Sequence, residues 1–304
     1  MNGFAAMAML GGAGATSAAT IAVLLSRASA LGLWAQPDPT VINHVRPVPL
    51  LGGIGILAGI LATALVWRAA PATSWSWLFA IAVIGSLGWW KDRVGRPVSP
   101  LLQLGLQAIA LLIAIESIGE MRFTDSVWID RSLSVLTGLW LLNSVNFLDV
   151  MDGLAGGVVL VLALAAAWLL CISGADGPAT IALCASGSIA GFLIFNRHPA
   201  RVFMGDVGSF GLGFVLFTLV SSVQHVHGST AGFLLGLVPM LELASSSTIR
   251  LMKRTSPLEG DGTHLALMLL NRAWPVRSIV RLFWLITALS SGLAILMARQ
   301  HATP

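Results

Sequence analysis

Ten apolar runs follow one another along this chain, each long enough to cross a hydrocarbon layer about 30 Å thick as a helix. They lie near 3–26, 50–67, 74–90, 100–118, 132–148, 153–173, 178–196, 208–223, 230–247 and 279–298. Backbone buried in lipid must satisfy its own hydrogen bonds, so runs of this kind fold as helices and pack side by side. The expected fold is therefore all-α: a polytopic transmembrane helix bundle of about ten spans, forming one integral membrane domain over residues 1–304. Only 10% of residues are charged, against roughly 25% in soluble domains, and no polar stretch is long enough to supply a separate soluble domain. The first run lacks a basic leader and reads as a retained helix. The fifth and sixth runs nearly merge through Asp149 and Asp152, which leaves the count open by one.

The 17 Lys and Arg residues then fix an orientation. Thirteen fall in or beside the connections 27–49, 91–99, 149–152, 197–207 and 248–278, and four (Arg68, Arg122, Arg131, Arg299) fall on the other side. Positive loops face the cytoplasm. Both termini are thus expected outside, in a multi-pass protein of the plasma (inner) membrane. The net charge of +4 is spread over short loops, a pattern of membrane orientation with no nucleic acid partner. His44, Asp92, Asp149, Asp152, Asp206, Asp261 and His264 all fall on the same cytoplasmic side, although they come from five separate connections. A converging site explains that segregation.

Four segments can carry chemistry. In Asn143-Ser-Val-Asn146-Phe-Leu-Asp149-Val-Met-Asp152-Gly153 the two aspartates are three apart, which on a helix places both carboxylates on one face with Asn146 a turn earlier. An ionised group at the centre of a membrane helix costs roughly 2.5–3.5 kcal/mol, so paired carboxylates call for a cation, a proton or a basic ligand; a solvated helix end is the plainer reading. In Arg201-Val-Phe203-Met-Gly205-Asp206-Val-Gly208-Ser209, glycines let backbone approach a ligand, and the free N–H groups of the following helix can meet phosphate. Asp206 suits Mg²⁺, which takes one or two carboxylates with substrate phosphates; a loop-to-helix turn reads as well. Pro47-Val-Pro49-Leu-Leu-Gly52-Gly53, after His44 and Arg46, reads locally as a turn opening the second span. The loop from Ser256 to Arg277 carries Glu259, Asp261, His264 and Arg272, either as a solvated face or as phosphate contacts.

Together these segments resemble the polyprenyl-phosphate N-acetylhexosamine-1-phosphate transferases, the family of glycosyltransferase family 4 that includes the phospho-N-acetylmuramoyl-pentapeptide transferases. The resemblance runs from His44 to Arg277: P-x-P-L-L-G-G, then G-R-P-V-S-P at 95–100, N-x-x-N-F-L-D-x-x-D-G-L-A-G-G at 143–157, F-M-G-D-V-G-S at 203–209 and S-P-x(6)-H at 256–264. It implies that a lipid phosphate attacks the β-phosphorus of a UDP-amino sugar and releases UMP, beginning cell-envelope glycan or polysaccharide synthesis. It implies Mg²⁺, with Mn²⁺ as a substitute, and polyprenyl (undecaprenyl) phosphate in the membrane as acceptor; a homodimer is compatible with it. Residue by residue, Asp206 and Asp152 would serve the metal, and Asp92, Asp149, Asp152 and His264 the reaction. His44, Asn146, Phe203, Gly205 and Lys91 would bind substrate, Phe203 by stacking on uracil.

The chain departs from the family at two of these places. The family commonly has two adjacent aspartates at the end of the third span, where this chain reads Lys91-Asp92. Of the usual His-rich run in the last loop, His264 alone stands. Lys91 cannot ligate Mg²⁺ while protonated but can meet phosphate directly. Two other readings stay open: a lapsed homologue that binds lipid or nucleotide as a partner protein, and an ion-coupled transporter. The plainer features are Cys171 and Cys184 as packing residues, Trp75, Trp77, Trp89 and Trp90 as interfacial anchors, and His225 and His227 as a polar outer loop. Glu242, inside the ninth span, needs an interior partner that the sequence does not name.

Overall fold

The computed structural model describes residues 1–35, 46–69, 74–94, 98–256 and 263–300. In chain order these form α1 (Gly3–Ser26), α2 (Ala28–Leu31), β1 (Trp34–Ala35), β2 (Val48–Pro49), α3 (Gly52–Val66), α4 (Trp75–Val94), α5 (Pro100–Ile118), α6 (Val127–Leu148), α7 (Leu154–Ile172), α8 (Asp176–Asn196), α9 (Gly205–His227), α10 (Ser229–Met252), α11 (Leu265–Asn271) and α12 (Val276–Gln300). The protein is an all-α multi-pass membrane bundle, and each of the ten apolar runs lies on one long helix. Among the described residues, seven of these helices are long and apolar enough to cross a membrane by themselves. The other three are α3, α4 and α6. The α3 helix has 15 residues, and α4 and α6 carry charged or polar residues at their ends.

Several helices outrun their apolar cores. α9 extends from 205 to 227 and α10 to 252, because polar side chains at the ends find partners and the helix need not stop where hydropathy does. His225 and His227 accordingly belong to the last turn of α9, not to a loop. His225 Nε2 meets the Glu120 carbonyl at 2.8 Å, and His227 Nε2 meets Ser173 Oγ at 2.8 Å. Two short strands are an addition to the all-α expectation: β1 and β2 pair antiparallel, Trp34 with Pro49 and Ala35 with Val48.

The bundle is organised around α9, which is buried along nearly its whole length and packs against α3, α4, α6, α7 and α10. Such enclosure requires close backbone approach. A side chain on Gly213 would run into the α6 backbone at Leu142. Trp77, read from sequence as an interfacial anchor, is instead a core residue. It is fully buried, donates Nε1–H to Thr218 Oγ1 at 3.1 Å and lies 5.4 Å from the Phe214 ring. Periodicity did not separate it from Trp75, which is 86% exposed.

Candidate active site

The fifth and sixth apolar runs are two helices. Asp149 caps α6, a turn follows, and Gly153 opens α7 at φ +77°, a conformation that side chains with a Cβ rarely adopt. Asp149 and Asp152 therefore do not share a helical face; they stand at opposite ends of a tight turn. Asn196, at the end of α8, holds that turn. Its Oδ1 accepts the Gly153 N–H at 2.9 Å, and its Nδ2 donates to the Val202 carbonyl at 2.9 Å. Asn196 is buried, so one amide locks the aspartate turn to the segment that leads into α9.

That second segment is docked from the other side by backbone. Phe203 N–H donates to the Pro49 carbonyl at 3.0 Å. Gly52 N–H and Gly53 N–H donate to the Phe203 and Met204 carbonyls at 2.9 Å each. A side chain on Gly53 would collide with Gly208 and the Met204 carbonyl. The Pro/Gly segment is thus more than a turn: its glycines allow two stretches of backbone to touch.

Gly205 takes φ +70°, and a Cβ there would lie 2.7 Å from Asp92 Oδ2. Asp92, near the end of α4, uses both oxygens on the start of α9. Oδ1 accepts Asp206 N–H at 2.9 Å and Oδ2 accepts Val207 N–H at 3.2 Å. A carboxylate satisfying free N–H groups at a helix N-terminus fixes that end and complements its dipole. Asp92 thereby aims Asp206.

Asp206 receives Asn146 Nδ2–H on Oδ1 at 2.7 Å and the Lys91 ammonium on Oδ2 at 3.3 Å. Asn146 also donates to Ser209 Oγ at 2.8 Å. Lys91 is held by a polar chain absent from the sequence reading. Its Nζ donates to Gln103 Oε1 at 2.9 Å, Gln103 Nε2 to Asn143 Oδ1 at 3.0 Å, and Asn143 Nδ2 to Gln107 Oε1 at 2.9 Å. It also sits 4.6 Å from the Phe210 ring centroid. Gln103 and Gln107, one turn apart in an apolar helix, were the signal that could have found it.

Asp152 Oδ2 accepts from Ala200 N–H at 3.0 Å and meets His198 Nδ1 at 2.8 Å. The Asp149 backbone N–H donates to the Asn146 carbonyl at 3.3 Å, but its carboxyl has no hydrogen bond or ion pair among the described residues. Burial, with the nearby charges of Asp206, Asp92 and Asp152, pushes its carboxyl up to about 8. Asp149 and Asp152 line a cavity of about 120 Å³ with Asn196, His198, Phe203 and Leu50. Among the described residues, Asp92, Asp149, Asp152 and Asp206 bring hard oxygen donors to this end of the bundle, a donor type that suits a divalent cation once the carboxyls ionise. Asp206 and Asp152, the pair expected from sequence, and Asp149 are the carboxylates that could offer it oxygens. Among the described residues no group of three His, Cys, Asp or Glu side chains is placed to hold a metal ion.

His264 is linked to this end of the bundle through Phe147, their rings 5.2 Å apart edge to face. His44, Glu259 and Asp261, with Gly95, Arg96 and Pro97, lie outside the described residues. Lys91, Asp92, Asn146 and Asp206 form one bonded cluster with Gly205 close against Asp92, and Asp149, Asp152 and Phe203 line a cleft. Asn196, His198, Gln103, Glu242 and Arg250 had no place in the sequence reading of the site.

Helix ends, carboxylates and glycine-docked loops thus meet at one end of a membrane bundle, and the chain is similar to known proteins. Residues 74–224 match the family described as Glycosyl transferase family 4. A decaprenyl-phosphate N-acetylglucosaminephosphotransferase of Mycobacterium leprae (strain TN) is 29% identical over 87% of this chain and 76% of its own. The enzyme of the same name from Mycolicibacterium smegmatis is 30% identical over 80% of this chain and 70% of its own. A phospho-N-acetylmuramoyl-pentapeptide-transferase of Heliobacterium modesticaldum is 31% identical over 82% of this chain and 83% of its own. The chain belongs to glycosyl transferase family 4.

Proposed function

We propose that this protein transfers an amino-sugar-1-phosphate from a UDP-sugar to polyprenyl phosphate, releasing UMP, at a site on the cytoplasmic face of the inner membrane. The observation that carries this reading is the Asp92–Asp206–Asn146–Lys91 cluster, bonded across α4, α6 and α9 beside the unpaired Asp149. The names of the relatives support it. An acceptor phosphate oxygen attacks the β-phosphorus of the donor as the bond to the UMP oxygen breaks. Such transfer depends on positioning and on neutralising charge more than on covalent help from protein.

Each residue has a part in that division of labour. Asp92 holds the start of α9 so that Asp206 faces the cleft. Asn146 orients Asp206, and the Lys91 ammonium offers a positive charge that a phosphate oxygen can take over. Phe203, in the wall of the cavity, presents a ring for uracil to stack on. Among the described residues, Asp149 is the one of the four carboxylates (Asp92, Asp149, Asp152 and Asp206) with neither oxygen hydrogen-bonded. Mg²⁺, when bound by Asp149 and Asp206, would draw charge from the donor diphosphate.

The test is UMP release by the purified full chain in detergent with polyprenyl phosphate, Mg²⁺ and a panel of UDP-amino sugars. Release is expected to need lipid and metal and to vanish in Asp206→Ala and Asp149→Asn. The lysine on Asp206 is the observation that favours the second reading, a lapsed homologue. Silence of the folded wild type with every donor would establish that one and sink the first.

A further inference from the structure

Glu242, Ser246 and Arg250 lie one turn apart on α10, and all three are buried. Buried charge in an apolar bundle persists only when it is paired and hydrogen-bonded, and this stripe points at one target. Arg250 Nε–H donates to Thr263 Oγ1 at 3.0 Å, and its guanidinium lies 4.8 Å from the Phe147 ring centroid. The same ring meets His264. Glu242 Oε1 accepts Leu265 N–H at 3.0 Å and Ser246 Oγ–H at 3.4 Å, and stands 3.7 Å from His264 Nδ1. The stripe therefore grips the segment Thr263-His264-Leu265 on both sides of the histidine, and Phe147, two residues before Asp149, ties it to the aspartate turn.

Two buried polar atoms in this assembly have no hydrogen-bond partner among the described residues, His264 Nδ1 and Glu242 Oε2. An imidazole left neutral and unpaired beside a buried carboxylate is costly, while a proton on Nδ1 facing Glu242 relieves both groups. We propose that Glu242 is the positioning residue of His264. It keeps the proton on Nδ1 and fixes the ring, so that Nε2 is the nitrogen offered to the donor's diphosphate; the substrate named here rests on the transfer reading above. A ring fixed by a carboxylate behind it is the arrangement by which functional histidines are commonly oriented.

The experiment uses the full chain labelled with [¹⁵N]histidine in detergent micelles, with the His264 signal assigned by its loss in His264→Gln. The wild type is expected to carry its proton on Nδ1; a wild-type His264 protonated on Nε2 alone overturns the proposal without any variant at Glu242. Glu242→Gln keeps an oxygen for Leu265 N–H but loses the charge. It is expected to release the Nδ1 proton preference and to lower kcat for UMP release about tenfold or more, with KM within about twofold. Glu242→Asp should recover part of that kcat. Unchanged tautomer and kcat in folded Glu242→Gln overturn the proposal. If the wild type releases no UMP, the transfer reading fails and the tautomer still decides the pairing of Glu242 with His264.

Discussion

The Lys91 ammonium stands 3.3 Å from Oδ2 of Asp206, the carboxylate we propose meets a divalent ion. A side chain of the protein thus occupies the charge-neutralising position before any ligand arrives. Gln103 and the Phe210 ring keep it there.

Lys91 and a divalent cation compete for that oxygen. Lys91→Met keeps most of the aliphatic stem and removes the charge. The expected result is a fall in the Mg²⁺ concentration giving half-maximal UMP release, by about two- to fivefold, the scale of a partly exposed ion pair. A Mg²⁺ titration of wild type and variant checks it. A rise in half-saturating Mg²⁺ would show that Lys91 helps to gather the metal-bound donor.

Asn196 satisfies Gly153 N–H and the Val202 carbonyl at once. Asn196→Ala leaves both buried groups without that partner, at about 1–3 kcal/mol for each. A tryptophan-fluorescence melt should show a clear loss of thermal stability, and UMP release should fall because the turn bearing Asp149 and Asp152 is no longer registered against Phe203. Asn196→Asp keeps the acceptor and loses the donor, so its melting temperature should fall between the two.

Asp149 brings a pH dependence whose sign follows from its environment. In the folded protein its carboxyl holds a proton up to about 8, while in the unfolded chain it releases it near the ordinary carboxylate value of about 4. Between those values the folded state binds more protons, so this group lowers stability as pH rises. Asp149→Asn cannot ionise. In chelator, its melting temperature should exceed that of the wild type by a margin that grows from pH 5 to pH 8 and then levels. Added Mg²⁺ should narrow the gap. A margin constant with pH would show that Asp149 is not held protonated by its neighbours.

The helices, and the polar residues gathered at their ends, were legible along the chain because each depends on local composition. Unbroken apolar residues force helices in lipid, and polar residues fall at the ends where water begins. That is why Asp92, Asn146, Asp149 and Asp206 could be named before any contact was known. Trp77 and the helical span of His225 and His227 were misread for the complementary reason. Whether a tryptophan faces lipid or core, and whether a helix continues past its apolar stretch, depends on what lies across from it.

Tertiary structure alone settled which groups touch. Asp149 and Asp152 share a spacing that suits one helical face, yet Gly153 places a turn between them. Asn196, Gln103 and Glu242 look alike in sequence, as polar residues in or at the end of apolar runs. One locks two loops, one holds a lysine and one backs a histidine. Hydropathy reports only that such a residue needs a partner, since burying an unpaired polar group is costly. The partner's identity comes from helices packed side by side, 60 or 114 residues apart for the bonds that Asp206 makes with Asn146 and Asp92, and distances of that kind are not written in local pattern.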